Sequence, residues 1–167
     1  MGTLIKTINL PDAIPNGITT DGKHLWWVGR DQTKIYQMDK QGNNIKSINV
    51  GAVDTQPFCL DFDGKNLWWT GITHSRLYCM DRDGNIIKTV DPTAAGPAPR
   101  GICFDGKNMW MTDDNTDIVY QMDRQGKIIK TINIAGFDTD PMDLCFDGKN
   151  IWWLGTSRKL FLMDKDC

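Results

Sequence analysis

The tripeptide Asp-Gly-Lys begins at residues 21, 63, 105 and 147, and each copy follows the last by 42 residues. The surrounding sequence repeats in phase: HLWWVG from His24, NLWWTG from Asn66, NMWMTD from Asn108 and NIWWLG from Asn150. A second block reads IYQMDKQG from Ile35, LYCMDRDG from Leu77, VYQMDRQG from Val119 and LFLMDK from Leu160. A third reads IKSINV from Ile45, IIKTV from Ile86 and IIKTINI from Ile128. One supersecondary unit is therefore used four times. A unit of this size cannot bury its apolar face alone, so the copies must stack against one another as a solenoid, propeller or array.

Within a repeat the apolar period is two, the period of a strand, and no stretch carries a capped helical stripe. In the third repeat, residues 101–104 alternate toward the Asp-Gly turn, residues 108–112 and 119–122 follow, and a turn at Gly126 leads to residues 128–132. Short runs rich in Ile, Val, Trp and Tyr between Gly-containing turns read as strands joined by hairpins. Four strands in about 42 residues is the size of a propeller blade. The fold expected is an all-β β-propeller forming a single domain over residues 1–167, with blade repeats at about 11–50, 51–90 and 91–134, and a last blade from 135–167 plus 1–10.

The phrase G-[IL]-x-F-D-G-K-N-[LIM]-W-[WM], followed by [IVL]-Y-x-M-D-x-x-G and I-I-K-T-I, resembles the blades of the NHL, YVTN and virginiamycin-lyase-like propeller group. The resemblance covers essentially the whole chain. It implies the fold and leaves the activity open, because that group includes lyases, hydrolases, sensors and plain binding modules.

Residues 2–8 align with residues 84–90, the outermost strand of a blade, whereas residues 160–164 form a third strand without a hairpin partner. An unpaired edge invites pairing. Residues 3–10 are thus expected to complete the last blade. They can do so within one chain, as a closed four-bladed ring, or between two chains, as half of a dimeric eight-bladed ring. The chain can also be read as a piece of a longer propeller or as an engineered half-ring.

Composition narrows the partners. A net charge of −2 with scattered charges points away from nucleic acid and from a membrane surface. The odd number of cysteines, five, is unlike a disulfide framework and suggests a cytoplasmic protein, a removed secretion signal remaining compatible with it. Cys103 and Cys145 share one phase of the innermost strand with Thr19 and Asp61, but a buried small residue explains them better than a metal site. No metal or other cofactor is expected. The turn at residues 81–85 reads as a hairpin turn rather than a calcium loop. No nucleophile elbow, zinc-protease or phosphate-loop motif occurs.

The tryptophans at 26, 27, 68, 69, 110, 152 and 153 all fall on the second strand of their blades and read as interblade core, with indole N–H groups finding backbone partners. Function is sought where the repeats disagree. The turns after the first and third strands are near copies and share one face, while the connections after the second and fourth strands differ in every repeat and share the other. Departures gathered on one face mark a binding face. The candidate binding residues there are Asn16, Arg30, Asp31, His74, Arg100, Asp113, Asp114, Asp143 and Arg158. Their mixed charge around a small opening suits a polar small molecule or a peptide. The expected function is a binding or scaffolding module. A lyase- or hydrolase-like enzyme, with His74 as its base, is the alternative, and a structural half-ring without a ligand is a third reading.

Overall fold

The structure is a computed structural model that describes residues 3–92 and 98–165. All of its regular elements are strands, arranged in antiparallel sheets in chain order. The first blade is β1 (Pro15–Thr20), β2 (Leu25–Gly29), β3 (Lys34–Met38) and β4 (Asn44–Asn49). The second is β5 (Pro57–Phe62), β6 (Leu67–Gly71), β7 (Arg76–Met80) and β8 (Ile86–Val90). The third is β9 (Pro99–Phe104), β10 (Met109–Asp113), β11 (Ile118–Met122) and β12 (Ile128–Asn133). The fourth holds three strands, β13 (Asp143–Phe146), β14 (Ile151–Leu154) and β15 (Leu160–Met163). These are four blades of a β-propeller.

Each Asp-Gly-Lys turn is a small hydrogen-bonded device. Glycine takes a positive φ, between 87° and 99° in the four copies. The aspartate before it accepts two turn N–H groups through Oδ1, as Asp105 does from Lys107 and Asn108. Its Oδ2 accepts the indole N–H of the tryptophan five residues on: Trp26 to Asp21, Trp68 to Asp63, Trp110 to Asp105 and Trp152 to Asp147. The sequence predicts backbone partners for these indoles. The carboxylate takes that role because the turn already satisfies its own backbone and leaves one oxygen facing the strand. The turn at residues 81–85 is of the expected hairpin kind, with Asp81 accepting the N–H groups of Asp83 and Asn85.

The core lies between blades. Trp26, Val28 and Ile35 of the first blade pack with Leu60, Leu67, Trp69, Tyr78 and Met80 of the second. Trp68 and Leu77 meet Met111, Tyr120 and Met122, and Trp110 and Val119 meet Leu144, Ile151 and Trp153. The innermost strands approach closely enough that a Cβ on Gly101 would sit 2.6 Å from the Cα of Asp143, so no larger residue fits there.

The four blades form an open arc. Ile18 of β1 is 66% exposed, whereas its equivalents Leu60, Ile102 and Leu144 are buried. Leu160 is 61% exposed, whereas Ile35, Leu77 and Val119 are fully covered. The N-terminal segment does not extend the fourth sheet of its own chain. Residues 3–10 carry no strand and lie on the first blade, with Ile8 packed on Trp27, Tyr36 and Met38. Position 2 of the aligned N-terminal block, five residues of the 92–100 connection and Cys167 lie outside the described residues.

Candidate functional site

The variable connections on one face are braced by buried carboxylates. Asp54 accepts the N–H groups of Gln56, Thr73 and His74 and so ties the β4–β5 connection to the β6–β7 connection. Asp12 does the same for Ile14, Asp31 and Gln32, and Asp138 holds Ser157. In these three blades the second strand is followed or ended by glycine. A Cβ on Gly29, Gly71 or Gly155 would stand 2.4 to 2.5 Å from the bracing carboxylate.

The third blade inverts the arrangement. Asp113 occupies the glycine position, fully buried, and accepts the equivalent N–H groups of Ala98, Asn115 and Thr116 from the other side. Asp113 therefore braces a connection and does not line an opening. The exchange has a signature in the sequence: Asp and Gly stand 17 residues apart at 12/29, 54/71 and 138/155, while Gly96 and Asp113 keep the spacing with the residues exchanged. Reading each repeat column singly hides this pattern, because it appears only when two columns are compared. Asp12, Asp54 and Asp138 were missed for that reason.

Inside this rim the starts of the innermost strands surround a hollow of about 340 Å³, lined by Asn16, Phe58, Cys59, Met142, Asp143 and Leu154, with Gly17 and Ile18. Arg100 of β9 does not line it but rests on Phe58, which does. Its guanidinium carbon lies 5.0 Å from the centre of the Phe58 ring, and its Nε is 2.5 Å from Asp114 Oδ2. The cation is thus stacked on one blade and paired within another, a geometry that suits the planar guanidinium. The other carboxylate oxygen, Asp114 Oδ1, is buried and has no hydrogen-bond partner among the described residues. Asn16 Nδ2 is in the same position.

Asp143 stands at the deep end of the hollow, where burial pushes its carboxyl above the ordinary range against a hydrogen bond from the Leu144 N–H. Burial, with the Asp143 carboxylate close by, raises the Cys59 thiol well above the usual value. A thiol held this way is protonated and poorly nucleophilic. Below them, Asp61 accepts Thr19 Oγ1 and the Phe104 N–H, stitching three innermost strands together. A wider cavity of about 570 Å³ opens past it toward the Asp-Gly-Lys face. Cys103 and Cys145 reach this cavity, and among the described residues no three His, Cys, Asp or Glu side chains gather in a way that could hold a metal.

Of the residues expected from sequence, Asn16 and Asp143 line this hollow, and the Arg100–Asp114 pair meets it only through Phe58. Arg30, Asp31, His74 and Arg158 sit on the connections between second and third strands of three different blades and do not line the hollow. His74 Nδ1 lies 3.2 Å from Asp54 Oδ2, with the imidazole more than half exposed. Arg158 is a turn residue with φ 64°, matching Thr33, Ser75 and Asp117. Phe58, the ring on which Arg100 rests, holds the same entry position of its innermost strand as Asn16, Arg100 and Met142, a position at which the sequence points to contacts in the channel mouth.

No family model and no curated protein matches the chain. Solved structures do. A catalytically inactive virginiamycin B lyase from Staphylococcus aureus, solved with quinupristin, is 20% identical over 94% of this chain and 54% of its own, with a TM-score of 0.72. The nidogen/laminin complex matches at 19% identity over 94% of this chain and 62% of that one, also at a TM-score of 0.72. The computationally designed Ika4 protein is 10% identical, covering 98% of this chain and 99% of its own at a TM-score of 0.65. The chain spans about half the length of the lyase structures. At these identities the likeness is one of fold: the chain is a β-propeller of the kind shared by lyases and by binding modules. Among the described residues no helix is long and apolar enough to cross a membrane.

Proposed function

We propose that this chain is a binding module that holds a polar small molecule or a peptide segment on its variable-loop face, over the hollow lined by Asn16, Phe58 and Asp143 and the Arg100–Asp114 pair that adjoins it at Phe58. The observation that carries the reading is the Asp114 oxygen, beside the Arg100 guanidinium, that is buried and has no hydrogen-bond partner among the described residues. A buried acceptor without a donor costs about 1–3 kcal/mol, a cost that a ligand N–H would relieve. Arg100 and Asn16 supply donors and Phe58 supplies an apolar surface, so the opening matches a group that both donates and accepts, as an amide does. The matched propellers include one solved with a small ligand and one solved in a protein complex, in keeping with either ligand class.

The test is a titration of the isotope-labelled protein with a panel of N-acetylated amino-acid amides and short peptides, followed by backbone amide shifts. Saturable shifts at Phe58, Arg100, Asp114 and Asp143 are expected, lost in Arg100→Ala. Shifts centred on Lys23, Lys65, Lys107 and Lys149 across the molecule would overturn the placement.

The enzyme reading has one observation in its favour, the His74–Asp54 pair at 3.2 Å, in which a carboxylate orients an imidazole as a general base requires. Asp54 also braces two connections, so the pair is explained without catalysis. Turnover of any substrate that His74→Gln abolishes without loss of stability would favour the enzyme.

A further inference from the structure

We propose that two copies of this chain close into one eight-bladed ring, joined by the outer faces of the first and fourth blades. This goes beyond the ligand reading and does not rest on it. Three internal junctions show what such a face is built to receive. At the junction of first and second blades, Trp26, Val28 and Ile35 enter a socket of Ile48, Val50, Leu60, Leu67, Trp69 and Met80. The repeat equivalents of that plug on the fourth blade are Trp152, Leu154 and Leu160. Leu154 is 42% and Leu160 61% exposed, whereas Val28 and Ile35 are fully buried.

The matching socket stands unfilled on the first blade. Its residues are Ile8, Leu10, Ile18, Leu25, Trp27 and Met38, the position-by-position equivalents of those in the filled one, and they line a hollow of about 380 Å³. Plug and socket thus lie on opposite ends of one arc. A two-fold rotation brings each plug to the other copy's socket and closes the ring with no face left over.

Four further features agree. The N-terminal segment, though not itself a strand, already lies on the first blade where the outermost strand of a preceding blade would: Ile8 covers Gly42 as Ile48 covers Gly84 and Val90 covers Gly126. Lys6 Nζ donates to the Gln41 carbonyl, one position on from the equivalent of the carbonyls that Lys46 reaches at Arg82 and Lys88 at Arg124. In a second copy's fourth blade this segment lies beside the open edge of β15. The charges also match. Arg82 reaches back to Asp21 and Arg124 to Asp63, each from one blade to the turn of the blade before it. Across the proposed junction the same step leads from Lys40 to Asp147, a turn carboxylate that is exposed here although Asp21 and Asp63 are covered. Finally, Gly17, Cys59, Gly101 and Asp143 alternate from one innermost strand to the next, so that Gly17 gives room to Cys59 and Gly101 to Asp143. Placing Gly17 of the second copy next to Asp143 continues that alternation.

The experiment is light scattering after size exclusion on the whole chain, with two charge variants. The mass expected is twice 18.9 kDa, and a mass of 18.9 kDa at the highest attainable concentration would overturn the proposal. Ile18→Lys damages only the socket and Leu160→Lys only the plug. Both side chains are exposed in a single copy, so each variant should keep the β-sheet circular dichroism and run as a monomer. Mixing the two should restore a dimer fraction, because one of the two junctions then joins an intact plug to an intact socket. Folded variants that remain dimeric, or a mixture that stays monomeric, would overturn the plug-and-socket arrangement.

Discussion

Arg124 Nη1 lies 3.2 Å from Asp63 Oδ2 and so ties the third blade to the hairpin turn of the second. The same carboxylate holds the Trp68 indole and the N–H groups of its own turn. One aspartate therefore fixes a turn, anchors a core aromatic and clasps the next blade. Arg82 and Asp21 repeat the clasp one junction earlier, at 3.3 Å.

This arrangement predicts an acid-sensitive fold. Burial pushes the Asp63 carboxyl up, but the Asn66, Trp68 and Lys65 hydrogen bonds and Arg124 outweigh it and leave it below the ordinary 3.8. Asp21, Asp105 and Asp147 are lowered likewise. A folded-state value below the unfolded one gives stability that is present above the ordinary value and lost as pH falls through the folded one. The urea midpoint should therefore drop as pH falls below about 4. Asp61 and Asp143 are raised by burial and act with the opposite sign, so the check is the difference between wild type and Asp63→Asn across pH. That difference should shrink on acidification. A difference constant with pH would show that the charge on Asp63 does not stabilise the fold.

Trp110→Ala should cost about 3–5 kcal/mol in chemical denaturation, the usual loss for a large aromatic removed from a packed core. Trp110 is fully buried between the third and fourth blades. Trp152, its equivalent on the open face, should cost less in dilute protein, and its effect should grow with protein concentration. Equal, concentration-independent losses would place Trp152 in the core of a single copy.

Asp54→Gly leaves the N–H groups of Gln56, Thr73 and His74 without their acceptor and should cost about 1–3 kcal/mol. Gly71→Asp alone drives a side chain into Asp54 and should also destabilise. Together they recreate the arrangement of the third blade, so the double variant should be more stable than the two losses added predict. Simple additivity in a double-mutant cycle would refute the exchange.

Arg100→Ala is expected to destabilise by about 1–3 kcal/mol, because it strips a half-buried carboxylate of its charged partner. As a bare rim residue it would cost less than about 0.5 kcal/mol. Arg100→Lys should recover only part, since an ammonium cannot pair with Asp114 and stack on Phe58 with one planar group. Denaturation midpoints of the three proteins decide between a rim arginine and a built pair.

The repeat arithmetic made the fold legible. A 42-residue period with strand-like alternation and Gly turns admits a propeller blade and little else, and each Asp-Gly-Lys copy fell on the hairpin assigned to it. Part of the candidate site was legible too. Arg100 and Asp143 break an otherwise small or apolar pattern at the starts of innermost strands, Asn16 shares the position of Arg100, and Asp114 lies on a variable connection of the same face. The bracing aspartates were not visible in the same way, because Asp12, Asp54 and Asp138 look like ordinary polar loop residues until their glycine partners are seen in space. Phe58 was legible as an entry residue beside Asn16 and Arg100, but its stacking was not, because that depends on an arginine from the next blade.

Sequence by itself determined the unit, its hairpins and the face on which the copies differ, since these follow from local backbone geometry and from apolar period. Tertiary structure alone decided which side chains meet across blades and that the arc stays open. Those outcomes depend on the angle accumulated between successive sheets, a sum of many packing contacts to which no single residue holds the key. The exposed Ile18 and Leu160 are read as buried strand residues in any one repeat. Only the arrangement of four blades shows that, in these two places, none of the four covers them.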